Sequence, residues 1–64
     1  MNQLTVFEAE ALARAIEAAI AAAELRAKAA ARRGRHVERD RATREIIELE
    51  GAAAKLGISI APKH

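Results

Sequence analysis

Eight basic residues crowd one stretch of this 64-residue chain: Arg26, Lys28, Arg32, Arg33, Arg35, Arg39, Arg41 and Arg44. Guanidinium groups present planar donor forks that match carboxylates and phosphates, so a cluster of this kind points to recognition of an anion. The formal charge follows the same division, with residues 1–25 summing to −3, residues 26–44 to +6 and residues 45–64 to −1. The targets expected of such a surface are an acidic protein face or the phosphates of RNA or DNA. The ordinary alternative is a solvated helix end, since Asp40 with Arg44, Arg41 with Glu45, Arg44 with Glu48 and Glu24 with Lys28 stand four apart and are expected to pair. The one aromatic residue, Phe7, is remote from the arginines, so no stacking platform for bases accompanies them. A helix-turn-helix would need a compact turn and a third helix, and neither is expected.

Other chemistry is poorly served. His36 and Asp40 stand one helical turn apart, but two ligands are too few for a metal, and His64 adds little; with no Cys the commonest structural zinc ligands are missing too. The candidate nucleophiles are Thr5, Thr43 and Ser59. Thr5 is expected to cap a helix, Ser59 falls in the tail, and Thr43 has no base set beside it. Gly34, Gly51 and Gly57 are spaced too irregularly for a phosphate-binding loop. A chain this short also lacks the interior needed for a dry pocket that would shift carboxylate pKa values. The expectation is therefore no enzyme, no cofactor, no metal and no small-molecule substrate.

The elements that must position the arginines are two helices. Thr5 followed by Glu8 fits a capping box, which places the start of helix one at Val6. The apolar pattern then runs without a break to about Arg33, where Gly34 supplies the left-handed stop and Lys28, Arg32 and Arg33 suit the negative end of the helix dipole. Helix two is expected from about His36 to Leu56, poorly capped but with Glu38 and Asp40 in its first turns. Lys55, Leu56, Gly57 and Ile58 read as a Schellman-type finish, and Ile58 and Ile60 as a short extended tail stopped by Pro62. Gly51 lies inside helix two and weakens it, unless it permits a close helix contact.

Helix one carries apolar residues on two sides. One seam is Ala9, Ala13, Ile16, Ile20, Ala23, Ala27 and Ala30; the other is Leu4, Phe7, Ala11, Ala15, Ala18, Ala22, Leu25 and Ala29. At about 100° per residue the two point roughly 160° apart. Helix two has a single stripe, Ala42, Ile46, Leu49, Ala53 and Leu56, suited to the first seam. A hairpin turning near Gly34 pairs residues whose numbers sum to about 69, setting Ile46 against Ala23, Leu49 against Ile20, Ala53 against Ile16, Leu56 against Ala13 and Ala42 against Ala27. The rival arrangement is one straight helix running through Gly34 into a long coiled coil, a rod over about 70 Å.

The second seam is left for a second copy of the chain. A thin core without disulfides or a metal makes self-association the expected stabiliser, and the architecture expected is an all-α hairpin, residues 1–64, that forms an antiparallel or crossed dimer, a four-helix bundle. The dimer interface is expected at Phe7, Ala11, Ala15, Ala18, Ala22 and Leu25, and partner contacts at Arg33, Arg35, Val37, Arg39 and Ile47. Val37 and Ile47 lie off the stripe of helix two and, with Ile58 and Ile60, either cover the ends of the dimer core or form a docking surface. No signal peptide or membrane span is expected: the start has no basic region, and the longest apolar run, Ala18 to Ala23, is far below the roughly 20 residues that cross a bilayer. These features together anticipate a cytoplasmic, non-enzymatic dimer that binds a larger protein as inhibitor, adaptor or regulator, of the kind phages and plasmids carry as accessory products. An RNA- or DNA-binding hairpin dimer using the same arginines is the alternative.

Overall fold

The computed structural model of the chain describes residues 4–60, which form two helices, α1 (Val6–Arg32) and α2 (His36–Leu56), packed against each other. Helix α1 begins as its first residues require. The Thr5 hydroxyl accepts from the Glu8 amide at 3.1 Å, and the Glu8 carboxylate accepts from the Thr5 amide at 2.9 Å, so two backbone donors with no helical acceptor are satisfied at once.

Gly34 makes the hairpin. It takes φ +70°, a left-handed backbone that a side chain would strain, and the chain reverses direction there. The Arg35 amide reaches back to the Ala30 carbonyl at 2.8 Å and the Gly34 amide to Ala31 at 3.2 Å, closing off the end of α1. Helix α1 therefore ends at Arg32, one residue before the expected boundary, because Arg33 already belongs to this turn. The molecule measures 44 × 17 × 16 Å, which excludes the straight rod. Helix α2 starts without a side-chain cap and ends on Gly57, also at φ +70°, where the Gly57 and Ile58 amides donate to Ala54 and Ala53 at 3.1 and 2.9 Å. That is the paired hydrogen-bond pattern of the Schellman motif.

The core is the line between the helices. Ile20, Ala23 and Ala30 from α1 and Ala42 and Ala53 from α2 are buried, flanked by half-buried Ala9, Ala13, Ile16, Ala27, Ile46 and Leu49. The first seam of α1 is thus turned wholly inward. Small residues dominate the contact, which lets two helices approach closely but gives each little apolar area to bury. Across it, Arg26 and Glu45 form an ion pair at 2.8 Å, tying the two helices together near the turn.

One expectation fails at the end of α2. Leu56 is 55 % exposed, so it does not cover Ala13; Ile58, in the tail, is 8 % exposed and covers the end of the core instead. The reason is the left-handed turn at Gly57, which redirects the chain so that the residue after the glycine, and not the one before it, closes the core. Ile60 is half-buried, and residues 58–60 adopt neither helix nor strand. Pro62 and His64 lie outside the described residues.

Candidate interaction surfaces

The face of α1 opposite the core is apolar and bare. Leu4, Phe7, Ala11, Ala15, Ala18, Ala22, Leu25 and Ala29 are all exposed, Phe7 at 82 % and Leu25 at 68 %. From Leu4 to Ala29 the stripe extends about 37 Å along the helix.

At the turn the arginines gather around a groove of about 360 Å³ lined by Arg26, Arg33, Arg35 and Arg41, with Ala29, Ala30 and Ala42 as floor and Glu38 and Glu45 at its margin. Alanines at these positions leave the space open, and the hairpin brings Arg41 of α2 beside Arg26 of α1. Part of the charge is spoken for. Arg26 bridges to Glu45, and this carboxylate, first by its hydrogen bond and then by its charge, pushes the guanidinium above its ordinary pKa. Arg35 approaches Glu38 at 3.4 Å, and Arg39 pairs with the adjacent Asp40 at 3.1 Å. Arg33 and Arg41 form no ion pair among the described residues, which leaves two uncommitted guanidinium forks on the groove.

The helical pairing expected from sequence is replaced here. Asp40 pairs with Arg39 instead of Arg44, and Glu45 reaches across to Arg26 instead of back to Arg41. Of the three arginines expected as partner contacts, Arg33 and Arg35 reach the groove and Arg39 stands outside its lining; Arg26 and Arg41, from the same basic cluster, complete it. The hairpin register held the signal for those two, since it sets residue 26 close to residues 41–45.

Val37 and Ile47 are 68 % and 62 % exposed. Ile47 lies five residues from buried Ala42, about 140° around α2, and so on the side turned away from α1, where it shares a shallow groove with Asp40, Thr43, Arg44 and Glu48. Its exposure there places it outside the core of the hairpin. Ile58, buried by its own chain, does not join this surface.

The hydroxyls are engaged in backbone work: Thr5 caps α1, and Thr43 donates to the Arg39 carbonyl at 3.0 Å. Among the described residues no three His, Asp or Glu side chains converge as a metal site, and no helix is long and apolar enough to cross a membrane. Comparison with protein-family models, with curated proteins and with solved structures returns no match, so the functional reading rests on the two surfaces just described.

Proposed function

We propose that this chain is a non-enzymatic helical hairpin that self-associates through the outer face of α1 and acts by docking onto a larger protein. The observation that carries the reading is that α1 has two apolar faces and covers only one of them. A second copy on the other face gives a four-helix assembly with the two α1 helices innermost. Each copy then keeps its arginine tip and the outer face of α2 available, with Arg33, Arg35, Arg39, Val37 and Ile47 as contacts for an acidic partner surface carrying an apolar patch. Inhibitor, adaptor and regulator are all roles that such an occupant of a surface can fill, and a cytoplasmic setting goes with them.

Absence of a stacking aromatic near the groove favours a protein over RNA or DNA. The test is tagged purification from the native cells with the wild type, Arg33→Glu and Ile47→Asp, each checked for molecular mass. The expected result is one protein recovered in stoichiometric amount with the wild type and lost from both variants, while both variants keep the mass of the wild-type assembly. Recovery of nuclease-sensitive material instead, with binding to labelled RNA or duplex that weakens steeply with salt, would establish the nucleic-acid alternative. Loss of assembly mass on Ile47→Asp would place Ile47 in the dimer core and overturn the division of surfaces.

A further inference from the structure

Self-association leaves open how the two copies are oriented, and the hairpin's charge decides it. Folding back at Gly34 lays residues 46–60 beside residues 4–25, so the arms of the hairpin carry a formal charge of −4 while the turn, residues 26–45 with the Arg26–Glu45 pair inside it, holds +5. The protein is therefore a rod 44 Å long with a basic turn and acidic arms. Two copies joined in parallel along α1 would hold their arginine tips side by side. Copies joined head to tail would set each basic tip against the acidic base of the other.

We infer that the second copy binds antiparallel, about a two-fold axis that passes between the two α1 helices level with Ala15 and Ala18, with basic tip against acidic base. This rests on the self-association proposed above and adds its geometry. The exposed seam is self-complementary about that axis: Ala15 meets Ala18, Ala11 meets Ala22, Leu4 meets Ala29, and Phe7 falls beside Leu25, each pair summing to 32 or 33. Four alanines from each copy at the crossing let the helices come to the near end of the usual 8–10 Å separation, and the larger Phe7 and Leu25 fill the ends where the helices diverge. The flanks agree. Glu8 and Arg26 are five full turns apart on the same side of α1, so in this register Glu8 of each copy stands level with Arg26 of the other.

The seam is long as well: its eight residues from Leu4 to Ala29 are all exposed, over about 37 Å of helix. Because seam and core lie on opposite sides of α1, the assembly is layered: α2, α1, the α1 of the second copy, then its α2. Both grooves and both Ile47 surfaces stay at the outside, presented twice with two-fold symmetry.

The chain has no cysteine, so orientation can be read by disulfide trapping. Ala11→Cys and Ala22→Cys, each a small change on an exposed position, are prepared separately and oxidised alone or mixed. In the antiparallel pair Cys at 11 lies opposite 22, while two copies of position 11 stand about 16 Å apart, beyond the roughly 7 Å limit for Cα atoms of a disulfide. The expected result is a shift to twice the chain mass on a non-reducing gel in the mixture, with little in either variant alone. Added salt should weaken the untrapped wild-type dimer, because the end charges attract across it. Cross-linking of each variant with itself, or a dimer that tightens with salt, would overturn the orientation while leaving self-association intact. A wild type that remains single at every concentration would instead remove the self-association on which this rests.

Discussion

Gly51→Ala is the substitution whose outcome separates the two outer faces of the hairpin. Gly51 sits within α2 with ordinary helical backbone, and a Cβ built there meets nothing within 4 Å. In an exposed helix interior glycine is less favourable than alanine by about 0.8–1 kcal/mol, chiefly because it gives up more backbone freedom on folding. Since the added methyl group points into open space and the backbone is already helical, the variant should gain nearly all of that difference. For a domain of this size about 1 kcal/mol corresponds to a rise in melting temperature of about 4–8 °C. The assay is thermal unfolding by circular dichroism at matched protein concentration, since association itself raises the midpoint. Gly51 shares the outer face of α2 with Ile47, one turn earlier. A lowered midpoint, with loss of assembly mass, would mean that another helix approaches α2 closely at Gly51, and the assignment of self-association to α1 would be refuted.

Gly34→Ala should act in the opposite sense. The new methyl group also meets open space, but φ is +70°, so the backbone alone should cost about 1–2 kcal/mol, read as a lowered midpoint in the same melt. Ile20→Ala removes the largest buried side chain of α1 and should cost about 2–5 kcal/mol, enough to unfold much of so thin a core, as seen in the loss of helical signal at 25 °C. Leu25→Ala, on the 68 % exposed face, should leave the helical signal of the dissociated chain unchanged and weaken only the association measured by dilution.

Much of the fold is written in local chemistry. Thr5 and Glu8 start α1, and Gly34 and Gly57 stop the two helices, because each acts through hydrogen bonds or backbone angles within a few residues of itself. The two seams of α1 are equally plain, and the structure covers the one whose isoleucines, Ile16 and Ile20, complement the single stripe of α2. What sequence spacing misses depends on groups distant in the chain. The Arg26–Glu45 bridge spans the hairpin and displaces the helical partner expected for Glu45, while the exchange of Leu56 for Ile58 depends on where the chain points after Gly57. The groove has the same character: Arg26 and Arg41 join Arg33 and Arg35 only once the register of the two helices is set.

The central claim is that the bare face of α1 is covered by a second copy, and sedimentation equilibrium tests it most directly. Measured over a range of concentrations, the wild type should approach twice 6.9 kDa, and Ala18→Glu, which buries a charge at the middle of the seam, should hold at 6.9 kDa with the helices still folded. A folded wild type that stays at 6.9 kDa at high concentration, or an Ala18→Glu variant that keeps the doubled mass, would contradict the account.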